Sequence, residues 1–279
     1  MTQDKLILDS TQTNKKEYAE HNVFDELERY IDFYDQFSFS IMHFVTMGTN
    51  SIINIDALIY SSIQGTLESV NHVLKNGRMG DAFALLRKYH DSVTINIYTN
   101  LYLEDNHSIE SFTVQKITNW MEGKEQLPDY RQMSQYIRSS DRLKSITDLL
   151  DKDDSYKKTR DRCNDNLHYN FFNNFMINDN QVYLKNRISL LDAFEKDVRN
   201  IFVLHLSYMF YLKDYYMCAS DYIDAIELGM KPEENSQYWV APFVQEVFSD
   251  IIVRERADIA NLIIKKTSMQ LEEKQFANS

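Results

Sequence analysis

Glycine and proline are scarce in this chain, and that scarcity restricts its fold more than any other feature of the sequence. Its 279 residues include only 6 Gly and 3 Pro. A many-stranded β-sandwich or barrel needs turns at short intervals, and those turns depend on such residues. Hydrophobic residues make up 43% of the chain and charged residues 26%, a balance typical of a protein with a large core. The composition therefore predicts long, packed helices.

Apolar residues recur at helical spacing on both sides of Asn76-Gly77. One stripe covers about 51–75, and a second covers about 80–103. An Asn-Gly pair is typical of the left-handed residue that ends a helix. A short turn between two periodic segments of this length predicts an antiparallel helix hairpin over 51–103.

Periodic segments elsewhere predict further helices joined by loops. They cover about 22–37, 109–121, 130–137, 141–150, 154–175, 188–217 and 242–266, and a turn at 178–180 is expected to join two short extended pieces. We therefore predict an all-α protein built on an antiparallel helical bundle.

Net charge, cysteine content and the pattern of apolar residues limit the kinds of site and segment that this chain can contain. The net charge is −12, so a polyanion would have to bind a local basic patch. Cys163 and Cys218 form neither a disulfide framework nor a zinc set. The N-terminus lacks the charged-then-apolar pattern of a signal peptide, and the longest apolar stretch, 201–212, is too short to cross a bilayer. We expect a cytoplasmic protein without a membrane segment.

The polar segment 155–170 contains Arg162 and His168, the best candidates for chemistry. Within it, 155–162 holds four basic residues against one acid, Asp161. An arginine can hold a phosphate through several donors, and a histidine can transfer a proton at neutral pH. Phosphodiester cleavage needs both of these abilities.

The spacing of this pair restricts how it could act. Residues six apart on a straight helix point roughly 120° apart and lie about 9 Å apart along the axis. The length of the arginine, a helix start inside the segment, or pairing across a dimer would be needed to bring Arg162 and His168 together. His90, close to Arg87 and Asp91, is expected to belong to an internal salt-bridged cluster.

Sequence motifs for metals and cofactors are absent. No Gly-rich phosphate loop, His-Glu-x-x-His pair, Cys-x-x-Cys pair, Glu-x-x-His pair or serine elbow occurs. This pattern disfavours metal catalysis, and no cofactor is expected.

An Arg-x5-His segment in an all-α chain resembles the HEPN superfamily, helical proteins of prokaryotic defence and toxin–antitoxin systems. The stretch 76–91, Asn-Gly-Arg-Met-Gly-Asp-Ala-Phe-Ala-Leu-Leu-Arg-Lys-Tyr-His-Asp, is similar to the helix pair of that family. The resemblance covers about 50–215. It implies a HEPN-like core at 49–216, with an N-terminal tail and helix at 1–48 and a C-terminal helical extension at 217–279.

The resemblance also implies a metal-independent endoribonuclease that works as a homodimer, with RNA in a local basic cleft and a possible antitoxin as partner. Arg162 would bind the phosphate, and His168 would be the general acid or base. The 2′-hydroxyl of RNA would be the internal nucleophile. The residues expected to bind or orient the substrate are Lys158, Arg160, Asn164, Asp165 and Asn166.

A second interpretation is a non-catalytic helical interaction or sensor protein in the same kind of system. Cys163 stands where the family commonly has a polar residue, and the chain is acidic and 13% aromatic. A His168 buried in hydrogen bonds, away from any dimer axis, would favour this interpretation. A third, a nucleotide-binding or nucleotide-modifying enzyme, lacks a phosphate loop.

Overall fold

The computed structural model describes residues 12–47, 51–107, 114–152 and 154–272. Across those ranges the secondary structure is helical and no strand is present; Cys218 and Val240 form an isolated antiparallel bridge. The all-α prediction is confirmed. The α-helices are α1 Lys16–Ala19, α2 Asn22–Ser40, α3 Ile55–Lys75, α4 Met79–Asn106, α5 Gln115–Met121, α6 Tyr130–Arg138, α7 Lys144–Leu150, α8 Ser155–Leu167, α9 Phe172–Asn178, α10 Arg187–Leu212, α11 Ser220–Glu227, α12 Pro242–Val247 and α13 Ala257–Lys266. Short 3-10 helices lie at Gln12–Asn14, Phe44–Thr46, Ile52–Asn54, Asp214–Met217 and Ser236–Tyr238, and a π-helix lies at Phe248–Val253.

The chain divides into two compact units, each assembled from three stretches of sequence. Unit 1 consists of Met1–Asp35, Ile59–Val93 and Asp153–Phe202, and unit 2 consists of Gln36–Leu58, Thr94–Lys152 and Val203–Ser279. The helices α2, α3, α4 and α10 contribute residues to both units. The sequence-based division at 48/49 and 216/217 stays a prediction.

Buried aromatic residues join the long helices of unit 1. Tyr30 of α2 stacks on Phe202 of α10 with ring centroids 4.1 Å apart. Tyr34 of α2 shares a hydrogen bond of 2.8 Å with Tyr89 of α4. All four side chains are buried, and a ring pair adds about 0.5–1.5 kcal/mol to the free energy of burying its area. These contacts hold α4 and α10 against α2.

The connection between α3 and α4 has the hydrogen bonds of a Schellman helix end. Gly77 has a φ of +74°, its N–H donates to the Leu74 carbonyl at 2.9 Å, and the Arg78 N–H donates to the Val73 carbonyl at 3.0 Å. The predicted pair of helices on either side of Asn76-Gly77 is therefore confirmed, and α4 extends a few residues beyond the predicted end.

A buried arginine holds this connection in place. Arg187, at the start of α10, is 1% exposed. Its Nη1 donates to the Gly77 carbonyl at 3.0 Å, and its Nε donates to Oε1 of Gln12 at 3.0 Å. Its Nη2 donates to the carbonyls of Asp179 and Val182, each at 3.1 Å. The arginine thus connects the start of α10 to the 3-10 helix at Gln12, to the turn between α3 and α4, and to the loop at 179–182.

Unit 2 contains a buried polar network around Asp56 of α3. The carboxylate accepts hydrogen bonds from Asn96 at 2.6 Å, Asn100 at 2.8 Å and Tyr216 at 2.7 Å. His205 of α10 contacts Oδ1 of Asn96 at 2.9 Å. Burial raises the pKa of Asp56 above its ordinary value and lowers the pKa of His205 to about 3. The network is internal, and its donors and acceptors satisfy one another.

Several predicted helix boundaries are wrong. The helix predicted over 154–175 is two helices, because Tyr169 adopts a left-handed backbone with a φ of +50° and ends α8. The helix predicted to run to 217 ends at Leu212, and the one predicted over 242–266 is interrupted by the π-helix and by Arg256. Before 178–180 the chain is helical, because α9 ends at Asn178, and after it Val182 is a single bridge residue and not part of a described strand.

Two other predictions touch residues outside the described ranges. The first part of the helix predicted over 109–121 lies there, and α5 begins at Gln115. Most of the predicted N-terminal tail also lies outside them. Among the described helices, none combines the length and the apolar character needed to cross a membrane.

Candidate functional site

Helix α8 carries the candidate residues, and its inward face is small and polar. Thr159, Cys163 and Asn166 are its buried residues, and their spacing places them on one stripe. Burial raises the pKa of the Cys163 thiol to about 12. Cys163 is therefore a protonated interior residue and does not face solvent beside Arg162.

Arg162 is oriented by a buried carboxylate on α10. Its Nε donates to Oδ2 of Asp197 at 2.6 Å, and Thr159 donates to Oδ1 of the same carboxylate at 2.7 Å. The Asp197 side chain is 2% exposed, whereas the Arg162 side chain is 42% exposed. Burial raises the pKa of Asp197, and Arg162 opposes that shift. Nη1 and Nη2 of Arg162 make no hydrogen bond within the described ranges, so they remain available to a ligand.

His168 caps the C-terminus of α8 and is exposed. Its backbone N–H donates to the Asn164 carbonyl at 3.0 Å. Its imidazole has no hydrogen bond or ion pair with any residue that the structure describes. Because α8 is a regular helix as far as Leu167, Arg162 and His168 lie about 9 Å apart along its axis and on different faces. A single copy of α8 does not present them side by side.

A second polar cluster attaches α8 to α4. Arg160 donates to Oδ1 of Asp91 at 3.1 Å, and its Nη1 lies 3.4 Å from Nδ1 of His90. Arg87 donates to the same Asp91 oxygen at 3.0 Å and to Oδ1 of Asn164. Burial lowers the pKa of His90, as do the nearby guanidinium groups. The internal salt-bridged cluster predicted around His90 is confirmed, and it includes Arg160 and Asn164.

The other predicted site residues differ in exposure. Lys158 is exposed and has no side-chain partner among the described residues. Asp165 accepts a hydrogen bond from Asn170 at 2.8 Å. Asn166 is buried and donates to the Arg162 carbonyl at 2.9 Å, while no described donor reaches its Oδ1. Lys158, Arg162 and His168 are thus the predicted residues that a ligand could reach most directly.

A cluster of exposed aromatic side chains, which was not predicted from the sequence, follows His168 directly. Tyr169 is 37% exposed, Phe171 62%, Phe172 78% and Phe175 53%. The rings of Tyr169 and Phe175 stack with centroids 4.1 Å apart and planes inclined by 10°. Aromatic residues interleaved with asparagines over 169–175 were the available signal. Asp197 gave no such signal, because the fold alone brings it to Arg162.

Comparison with protein-family models, curated proteins and solved structures finds no match to this chain. Among the described residues, no group of three or more His, Cys, Asp and Glu side chains is arranged to hold a metal ion.

Proposed function

We propose that this protein is a metal-independent endoribonuclease of the HEPN type that acts in bacterial defence or in a toxin–antitoxin pair. The main support is the state of Arg162 and His168. A buried carboxylate orients Arg162 and occupies its Nε, so its two terminal nitrogens can bind a phosphate. His168 is exposed and makes no bond to the described residues that would occupy its imidazole. The long helices of unit 1 are compatible with a HEPN-like bundle.

The proposed reaction is attack of the RNA 2′-hydroxyl on the adjacent phosphorus. A base removes the proton of that hydroxyl, and the 5′-oxygen leaves with a proton from an acid, which gives a 2′,3′-cyclic phosphate and a 5′-hydroxyl end. His168 supplies the proton-transfer step. Arg162 stabilises the additional negative charge on the phosphorane oxygens. Lys158 contributes positive charge to the RNA-binding cleft.

The separation of Arg162 and His168 along α8 is the reason to propose a homodimer. A two-fold axis would place Arg162 of one chain near His168 of its partner and would supply two imidazoles to a composite site. A monomeric mass in light scattering at micromolar concentration, with cleavage intact, would contradict this arrangement.

A non-catalytic interaction protein is the second candidate, and the exposed aromatic cluster favours it. Phe172 is 78% exposed, and large exposed apolar surfaces often mark binding sites. In that case RNA would remain intact, and substitution of Phe172 would abolish binding of a protein partner. The cleavage assay below distinguishes the two candidates.

The decisive experiment measures RNA cleavage by His168→Ala beside the control His72→Ala, an exposed histidine in the last turn of α3. His168→Ala should lose activity by at least about a hundredfold because general acid–base catalysis contributes that much or more. Its melting temperature should match that of the wild-type chain. Chelators should have no effect, and a 2′-deoxy residue at the cleaved position should block the reaction.

The arginine requires a paired substitution. Arg162→Ala alone would leave the buried Asp197 carboxylate without its cation. The variant could then lose cleavage because it unfolds and not because the guanidinium is missing. Arg162→Met combined with Asp197→Asn removes both charges and should abolish cleavage in a folded chain. Asp197→Asn alone, which keeps the guanidinium, should retain part of the activity. Full activity in His168→Ala or in the double variant would contradict the proposal.

A further inference from the structure

The end of α8 uses a backbone conformation that normally belongs to glycine. The Tyr169 N–H donates to the Asn166 carbonyl at 3.3 Å, and the Asn170 N–H donates to the Asp165 carbonyl at 3.0 Å. The same pair of bonds ends three other helical segments, where Gly77, Gly123 and Gly229 have positive φ values. At α8 the corresponding residue is Tyr169, with a φ of +50°. A side chain is strained in this conformation, so the chain gives up stability to keep a ring there.

Burial in the core does not account for the ring. The Tyr169 side chain remains 37% exposed and stacks on Phe175, which is itself 53% exposed. Phe171 and Phe172 are more exposed still. Four aromatic side chains within seven residues therefore present their rings to solvent directly after His168.

We infer that Tyr169, Phe171, Phe172 and Phe175 form a platform on which unpaired bases of a single-stranded RNA stack beside His168. This inference rests on the proposed RNA substrate and specifies its class. Bases of a duplex are already stacked on their neighbours, whereas unpaired bases are open to aromatic side chains. The platform would hold the strand so that an adjacent phosphate reaches the residues of α8.

Helix α8, which leads into the cluster, holds four basic residues and two acidic ones. Lys157 and Lys158 are exposed on α8, and Arg162 is partly exposed on the same helix. No Asp or Glu occurs between Asp165 and Asp179, although the chain as a whole has a net charge of −12. Asn173 adds an exposed amide between the rings, and such amides can bond to base edges. Aromatic rings beside a basic helix are the usual components of single-strand binding.

The exposed area of the cluster is small for a protein interface. From the exposed fractions, the four rings offer on the order of 500 Å². Each partner in a stable protein–protein interface buries roughly 800 Å². The cluster alone is therefore too small to be a whole protein interface, and a few stacked bases match its area.

The test measures binding of a labelled single-stranded RNA, and of a duplex of the same composition, to the full chain carrying His168→Ala. Phe171→Ala and Phe172→Ala should each weaken binding of the single strand about tenfold, the effect of losing one stacked base. Duplex binding should be unchanged. Phe39→Ala is the matched control, because Phe39 is 67% exposed and lies on α2, and it should bind the single strand as the parent does.

Tyr169→Gly separates the platform from a structural role. It should weaken single-strand binding about tenfold while its melting temperature does not fall. Unchanged binding in the aromatic variants, absence of single-strand binding by the parent chain, or conversion of a dimer to a monomer by Phe172→Ala would each overturn the inference. Cleavage is scored separately. RNA cleaved without dependence on the rings refutes the platform alone, and ring-dependent binding without cleavage refutes the nuclease alone.

Discussion

Helices α3 and α8 end in the same hydrogen-bonded turn, but the surroundings of the two ends differ. At the end of α3, a Cβ added to Gly77 would lie 2.8 Å from Cγ2 of Thr13 and 3.2 Å from Nη1 of Arg187. Both the backbone and the packing therefore require glycine. At the end of α8, Tyr169 has the strained conformation and its ring reaches solvent.

The difference shows how to interpret a residue that breaks a local rule. In the interior around Gly77, backbone preference, packing and hydrogen bonding all favour the same residue, as expected where stability selects it. Around Tyr169 the backbone disfavours the residue, and burial contributes little. Strain that the folded state does not need is a reason to look for a binding role.

The largest effect is expected from Arg187→Met at the end of α3. The substitution would remove the donors that satisfy the buried carbonyls of Gly77 and Val182, the buried side chain of Gln12 and the exposed carbonyl of Asp179. Stranding several buried acceptors should lower the free energy of unfolding by about 3–5 kcal/mol, measured by urea denaturation.

Arg78→Met is the matched control, since Arg78 lies in the same turn, is exposed and donates to the Asn178 carbonyl. It should change the free energy of unfolding by less than about 0.5 kcal/mol. Equal losses in the two variants would mean that burial of Arg187 does not determine the stability of this region.

A smaller loss is expected from Gly77→Ala. The positive φ and the close contact with Thr13 should together cost about 2–3 kcal/mol. Gly229→Ala isolates the backbone contribution, because Gly229 has a φ of +68° and no atom lies within 4 Å of an added Cβ. The control should lose about 1 kcal/mol in the same denaturation experiment. If the two variants lose equal stability, packing adds nothing at Gly77.

The contrast also explains which parts of the structure the sequence predicted. Asn76-Gly77 has the residue types that a left-handed helix end prefers, so the end of α3 could be predicted from the local sequence alone. Nothing local marks Tyr169 as a helix end, since tyrosine is acceptable within a helix. The predicted helix over 154–175 therefore continued past the real end at Leu167.

Long-range partners were beyond prediction for a different reason. The helical spacing identified the exposed and buried faces in general terms, and the cluster of Arg87, His90 and Asp91 was predicted because these residues lie within two turns of one helix. Asp197 reaches Arg162 from another helix, so only the fold connects them. The aromatic cluster was missed because the aromatic content was interpreted for the chain as a whole and not segment by segment.

Lowering the pH should destabilise α8 before it destabilises the end of α3. Burial lowers the pKa of His90 below its ordinary value of 6.5. As pH falls through that value, the unfolded chain takes up a proton that the folded chain does not, so stability present above pH 6.5 is lost. Arg160 and Arg87 lower the pKa of His90 further, and Asp91 opposes them. Arg187 keeps its charge over this pH range, as arginine does in proteins.

Hydrogen exchange of backbone amides tests this expectation. Between about pH 7 and about pH 5, protection of α8 should fall once the intrinsic pH dependence of exchange is removed, while protection at the end of α3 is retained. The stability lost through His90 should be smaller than for either substitution above. His205, whose pKa is lowered to about 3, adds a loss of its own in unit 2 over the same pH range. Parallel loss at both helix ends would indicate global unfolding in place of local release of α8.

The smallest stability effect should come from Tyr169→Gly, and it is expected to have the opposite sign. Glycine relieves the strain of the left-handed conformation, while loss of the stacking on Phe175 removes a partly exposed contact of modest value. The free energy of unfolding should stay the same or rise by up to about 1 kcal/mol. Tyr169→Ala is the control, because it loses the same ring but keeps a Cβ at a φ near +50°, and it should be about 1 kcal/mol less stable than the glycine variant. If Tyr169→Gly is destabilised by more than about 1 kcal/mol, the ring is a structural contact, and α8 ends for the same kind of reason as α3. A stable glycine variant would instead show that the fold does not need the ring, and the binding experiments with the aromatic variants would then decide its role.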